Sequence, residues 1–163
     1  MRRTPLKRKT PLRAKKTLKR SNFRTKPKKR TRKAKQPSMR LLKNKLWNEC
    51  KRIVRKRYGN GDNTYTCYTC DNHLDKPAKA QTGHFIPSSV CSVEMRYDLD
   101  NLRVQCYRCN INLSGNWIEY EKRLNIEKGD GFTDQLKARN EQTKNKQYDS
   151  LWYLDVIARY KKL

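Results

Sequence analysis

Apolar residues recur at three- and four-residue steps between Ser38 and Gly59. Leu42, Leu46, Trp47, Cys50, Ile53, Val54 and Tyr58 form one stripe, and Lys43, Lys45, Lys51, Arg52, Arg55, Lys56 and Arg57 fill the other faces. The pattern predicts a helix over 38–58, capped by Ser38 and stopped at Gly59, with a core-facing stripe and a basic outer surface. Gly59–Asn63 is a turn cluster, and a short β segment, Thr64–Thr66, follows it. Residues 80–86 read as a strand ended by Pro87, and Asn101–Gln105 as another. The long loop between them is of the kind that usually carries function. Asn116 is placed to cap a helix from Trp117 to Lys128, closed by Gly129-Asp130-Gly131. Thr133 and Asp149 begin two more helices, 134–146 and 150–161. In the last, Leu151, Leu154, Ile157, Ala158 and Tyr160, with Trp152 and Tyr153, give an apolar side that completes the core or forms a dimer face.

Charge separates the first part of the chain from the rest. Residues 1–48 hold 21 of the 41 Lys and Arg and none of the 15 Asp and Glu, so most of the formal +26 sits there. Such a run repels itself and has too little apolar surface to offset its ordering entropy, which predicts a disordered arm over 1–37. Thr4-Pro5-Leu6-Lys7, Thr10-Pro11-Leu12-Arg13 and Thr17-Leu18-Lys19 make a loose repeat, biased by its Thr-Pro steps to an extended strap. A polyanion is the natural partner, because neutralised phosphates release counterions. Arg2, Arg3, Lys7, Arg8, Lys9, Lys28, Lys29 and Arg30 in the arm, with Arg103 and Arg108 beyond it, are the candidate nucleic-acid contacts. An anionic membrane surface fits less well, since the arm has no apolar face and the chain has no run of about 18 apolar residues. No apolar stretch follows the N-terminal charge, so no secretory signal is expected and the cytoplasm is the expected location.

The six cysteines are therefore expected to be reduced. Cys67-Tyr68-Thr69-Cys70 and Cys106-Tyr107-Arg108-Cys109 are two Cys-x-x-Cys knuckles, together the ligand set of a closed tetrahedral structural Zn²⁺ site. A redox dithiol would not need two matched knuckles. Cys50 and Cys91 read as buried apolar thiols. Zinc also supplies folding energy that a core of this size lacks.

Gly83-His84-Phe85-Ile86-Pro87 lies between the knuckles, and Asn110 directly follows the second. A lone histidine at a strand end is ordinarily a plain surface or core residue. Here the zinc brings its strand towards the segment after Cys109, beside a very basic surface. A neutral imidazole there can take a proton from water, and the hard amide oxygen of Asn110 suits Mg²⁺ or Mn²⁺.

Gly83-His84-Phe85-Ile86-Pro87, then Asp100-Asn101-Leu102, then Cys106-x-x-Cys109-Asn110 resembles the HNH, or ββα-metal, nuclease motif set in zinc knuckles. More narrowly, the chain from about Arg40 onward resembles the NinG (Rap) family of lambdoid phage recombination proteins. The supporting residues are Gln105 before the second knuckle, Ser114-Gly115-Asn116, and Tyr120, together with the helix before the first knuckle. The basic arm falls outside the resemblance. The resemblance implies that His84 is the general base and that Asn101 ties the loop and orients it. It implies Asn110 as ligand of the catalytic Mg²⁺ or Mn²⁺, and Cys67, Cys70, Cys106 and Cys109 as structural zinc ligands. It also implies phosphodiester hydrolysis in branched DNA such as Holliday junctions and D-loops, in the host cell cytoplasm. Resolution of a junction in two strands favours a homodimer on analogy. Many HNH nucleases place Asp, a second metal ligand, directly before the histidine, where this chain has Gly83. Asp98 and Asp100 are the candidates for that role, with Asp71 and His73 weaker ones.

The expected fold is thus α+β: a small zinc-stapled ββα-metal (HNH) core flanked by helices, behind a disordered basic N-terminal arm. Within the 38–163 nuclease domain, 38–58 is the first helix, 64–128 the zinc core and 133–163 the C-terminal helices. Two alternatives lie in other classes. A non-catalytic zinc-knuckle nucleic-acid-binding protein gives His84, Asn101 and Asn110 no task. A ribosomal or nucleoid-type structural protein leaves the long loop unexplained. A third alternative keeps the HNH chemistry but assigns it to DNA packaging or nicking.

Overall fold

The computed structural model describes residues 36–163. Helix α1 (Met39–Tyr58) begins where Ser38 Oγ accepts a bond from the Leu41 amide, and its buried residues are Leu42, Leu46, Cys50, Ile53 and Val54. It ends at Gly59 by close approach: a Cβ there would lie 2.8 Å from the Arg55 carbonyl oxygen. Strands β1 (Tyr65–Thr66) and β2 (His73–Leu74) pair antiparallel and carry the first knuckle between them, a hairpin whose second strand was not expected.

The site rests on the second hairpin. Strands β3 (Gln81–His84) and β4 (Leu102–Gln105) pair antiparallel, with Gln81 opposite Gln105 and His84 opposite Leu102. Side chains alternate along a strand, so each hairpin face has its own set. Thr82, His84, Leu102 and Val104 face α1. Gln81, Gly83, Arg103 and Gln105 face a π-helical turn (Arg108–Asn112) and α3 (Trp117–Lys128).

The expected loop between β3 and β4 is partly helical. It holds α2 (Val93–Tyr97) and a 3₁₀ turn at Leu99–Asn101. Ser92 Oγ caps α2 by accepting from the Met95 amide, while the Ser92 amide donates to Asn140 Oδ1 at 2.7 Å on α4 (Phe132–Thr143). A five-residue helix gives almost no periodic signal in sequence, and its order comes from these buried tertiary bonds.

Two apolar clusters fill the interior. One joins α1, the α1-facing side of β3–β4 and α5 (Ser150–Lys161). The other joins Phe85, Ile86, Met95, Tyr120, Leu124 and Leu136, between α2, α3 and α4. Asp149 caps α5 as expected, by accepting from the Trp152 amide. The apolar side of α5 is rotated from the expected one. Tyr153, Val156 and Ile157 are buried, whereas Leu151, Leu154 and Ala158 are exposed. Packing against α1 of the same chain fixes the phase of a helix with apolar residues on several sides. Two expected caps also fail. Asn116 sits in the left-handed region with no capping bond, and Thr133 is buried inside α4 with its hydroxyl on Glu121. No helix among the described residues is long and apolar enough to cross a membrane.

Arg103 requires a correction. It is 1% exposed, so it is no contact for nucleic acid. Its guanidinium makes a two-pronged pair with Glu127 at 3.0 Å, and donates to the carbonyls of Leu99, Asp100 and Leu102. The rings of Tyr58 and Tyr68 cover it at 5.1 and 5.3 Å. All three of its nitrogens therefore donate within the protein, where an unpaired charge would be very costly.

Candidate functional site

The four knuckle cysteines converge. Their Sγ atoms all lie within 4.8 Å of one another, and those of Cys70 and Cys106 are 3.8 Å apart. A Zn²⁺ with four thiolates at about 2.3 Å has sulfur–sulfur edges of about 3.8 Å, so the set fits that ion. The Cys106 amide donates to Cys67 Sγ at 3.2 Å and the Cys109 amide to Cys106 Sγ at 3.4 Å, bonds that favour thiolates. Asn116, released from capping, donates Nδ2 to Cys109 Sγ at 3.7 Å. Four cysteines here can hold a metal such as zinc. Cys50 is fully buried, with burial raising its thiol to about 12, and Cys91 is half-buried.

His84 stands at the end of β3 on the α1 side. Its ring stacks on Trp47 of α1, with centroids 5.2 Å apart and planes 9° apart. Its Nε2 lies 3.0 Å from the Arg96 carbonyl oxygen of α2. A carbonyl only accepts, so Nε2 carries a proton and Nδ1 keeps its lone pair. Burial depresses the proton affinity of the ring, the carbonyl bond opposes this, and the Arg96 charge depresses it further. The imidazole is thus neutral near pH 7. It opens on a cleft of about 620 Å³ whose other lining residues include Arg40, Lys43, Asn44, Ser88 and Arg96. Three cations and no carboxylate line this cleft, which suits an anionic ligand.

Asn101 is fully buried and ties the β3–β4 connection. Its Oδ1 accepts from the Ile86 amide at 2.7 Å, and its Nδ2 donates to the Met95 carbonyl at 3.0 Å and the Ile86 carbonyl at 3.3 Å. Its own carbonyl accepts from Phe85, next to His84. It lines no cleft among the described residues, and its bonds hold the connection between β3 and β4.

Asn110 lies on the opposite face of β3 from His84. It does not line the His84 cleft, so the two do not share one pocket, contrary to expectation. Its Nδ2 donates to Gln81 Oε1 at 2.7 Å. Its Oδ1 is left turned towards Gly83, 3.1 Å from where a Cβ would sit. The candidate second ligands are engaged elsewhere. Asp98 caps the Asp100 amide and pairs with Arg139, and Asp100 pairs with Lys128 at 3.6 Å. Asp71 makes a two-pronged pair with Arg123, and His73 is exposed on β2.

The family model described as bacteriophage lambda NinG protein matches residues 1–163. The chain belongs to the NinG family. The match runs through the basic arm, so the NinG likeness is not confined to the part from Arg40 onward. A search of the curated proteins finds no match, nor does a search of the solved structures. Of the residues expected to contact nucleic acid, Arg2, Arg3, Lys7, Arg8, Lys9, Lys28, Lys29 and Arg30 lie outside the described residues. Arg108 is exposed at the start of the π turn of this NinG-family chain, two residues before Asn110 in the same turn. Sequence reasoning missed Trp47, Arg40, Lys43 and Arg96 as cleft residues. The α1 stripe held a hint, since Trp47 lies at its border and only a partner at its edge explains a half-buried indole.

Proposed function

We propose that this NinG-family chain is a metal-dependent DNA endonuclease of the HNH type, acting in phage recombination on branched DNA. The observation that carries the reading is His84: a neutral imidazole, held by Trp47 and the Arg96 carbonyl, with Nδ1 unprotonated beside a cleft whose charged groups are all cationic. A fixed, neutral ring with one nitrogen unprotonated beside an anion-attracting cleft is what a general base in phosphodiester hydrolysis requires. Two amide residues on the other face of β3, Asn110 and its orienting neighbour Gln81, are suited to a hard divalent cation.

In this reading Arg40, Lys43 and Arg96 draw the phosphodiester to the cleft. His84 Nδ1 accepts a proton from a water, whose oxygen attacks phosphorus in line. Mg²⁺ or Mn²⁺, when bound, supplies charge stabilisation to the departing 3′ oxygen. His84 and Asn110 occupy opposite faces of β3, and β3 has no second strand partner among the described residues. The reading requires the scissile phosphate to cross that unpaired edge and reach both sides. The zinc cluster fixes the π turn that bears Asn110, and Asn101 fixes the connection after His84.

The reading is tested by incubating the purified protein with a four-way junction and with linear duplex, in Mg²⁺, Mn²⁺ or EDTA. Metal-dependent scission that favours the junction is expected. Binding of both DNAs without scission in any divalent metal returns the assignment to a zinc-knuckle binding protein, and equal cutting of both removes the branched substrate.

A further inference from the structure

Gln105 is fully buried at the end of β4, yet its Oε1 has no hydrogen-bond partner among the described residues. The rest of its amide is firmly held: Nε2 donates to the Gly115 carbonyl at 2.7 Å and to Thr69 Oγ1 at 3.1 Å. Those bonds fix which end of the amide is oxygen, so the orphan is no ambiguity of orientation. Oε1 points at Gly83, its diagonal neighbour across the hairpin, and a Cβ there would lie 2.0 Å from it. The same Cβ position is 3.1 Å from Asn110 Oδ1, so the two oxygens are at most 5.1 Å apart. Asn110 Nδ2 lies 2.7 Å from Gln81 Oε1, and this contact turns Asn110 Oδ1 towards Gly83.

Two side-chain oxygens, each aimed by bonds to its own NH₂ group, thus converge beside a residue with no side chain. The buried Gln105 oxygen left unpaired in this way calls for a water or an ion. We propose that Gln105 Oε1 and Asn110 Oδ1 together are the protein ligands of the divalent cation, with glycine required at 83 because the Gln105 oxygen stands where its side chain would begin. The inference rests on the nuclease reading above and completes its metal site. Both donors are neutral, so the protein contributes no charge to the ion. Binding is then weak for the free protein and is completed by the phosphate of DNA, a hard anionic oxygen ligand.

The test uses the full zinc-loaded chain carrying His84→Ala, which keeps DNA intact, with Mn²⁺ as probe. Free Mn²⁺ is measured by electron paramagnetic resonance with and without a four-way junction. Paramagnetic broadening of the side-chain NH₂ signals of Gln105 and Asn110 is followed by nuclear magnetic resonance. Mn²⁺ should bind more tightly with DNA than without it, and should broaden both amides. Gln105→Met should weaken Mn²⁺ about 10-fold or more at unchanged zinc content. Gly83→Asp combined with Gln105→Ala, which frees the space and moves the donor across the hairpin, should restore Mn²⁺ binding even without DNA. Mn²⁺ that broadens Asn110 alone, with its affinity indifferent to Gln105→Met, overturns the role of Gln105 and leaves the nuclease reading standing. Absence of any Mn²⁺ binding with or without DNA, together with no scission by the unmodified chain, removes both. If Gln105→Met loses its zinc, the Gly83→Asp, Gln105→Ala pair decides alone: failure to bind Mn²⁺ with zinc retained counts against the site.

Discussion

The carbonyl oxygen of Arg96 lies 3.0 Å from Nε2 of His84, and this one bond decides which nitrogen of the ring is basic. It leaves Nδ1 as the nitrogen that can take a proton, while burial holds the ring below the ordinary 6.5 of histidine. The charged groups facing it, Arg40 and Lys43 from α1 and Arg96 from α2, are all cationic and favour the neutral form.

A pH–rate profile follows from that sign. Protonation below the depressed value removes the base, so single-turnover cleavage should rise with pH, with unit slope, through a midpoint below 6.5, and then level off. A midpoint well above 6.5 would contradict a neutral resting imidazole.

Asn101→Ala should act on the site without touching DNA. The Ile86 amide and the Met95 carbonyl lose their partner inside the protein, a cost of about 1–3 kcal/mol. Hydrogen exchange at Ile86 should accelerate, and kcat should fall while junction affinity stays near its original value. A purely structural asparagine would lower the melting temperature and leave kcat of the folded fraction intact.

Zinc stoichiometry checks the brace. One zinc per chain is expected by elemental analysis, and Cys106→Ser should abolish it and unfold the β3–β4 hairpin with the π turn, as seen by loss of near-ultraviolet dichroism. A fold unchanged after complete zinc removal would assign the cluster another purpose.

Arg103 and Arg108 should separate cleanly. Glu127→Ala strands the buried guanidinium, and about 2 kcal/mol of stability should be lost, less than for a fully buried pair because Glu127 is one-third exposed. Its DNA affinity should not change. Arg108→Ala should leave stability within about 0.5 kcal/mol and reduce the salt slope of DNA binding by about one. Denaturant titrations and binding at several salt concentrations distinguish the two.

These residues also show what the sequence made legible. Helix α1 and its cap could be read because polar and apolar residues alternate at helical spacing and Ser38 precedes the pattern. The four cysteines could be read because knuckles carry their geometry locally. Arg103 could not, since a basic residue in a strand looks the same whether it faces solvent or lies under Tyr58 and Tyr68. Gln105 was quoted only as part of a motif. Its relation to Gly83 depends on hairpin register, which places residues 22 positions apart in contact and leaves no periodic trace. The separation of His84 and Asn110 to opposite faces of β3 has the same origin, because the strand's alternation shows only once its bounds and its partner are known. Asn116 misled because asparagine is a common cap, and here the sulfur of Cys109 competes for its amide.

The most direct measurement is single-turnover cleavage of a four-way junction in Mg²⁺ by the unmodified chain and by His84→Ala, with junction binding measured in parallel. The account predicts a rate at least about 100-fold lower for His84→Ala at equal affinity, and none in EDTA. Cleavage by His84→Ala at the rate of the unmodified chain would contradict it.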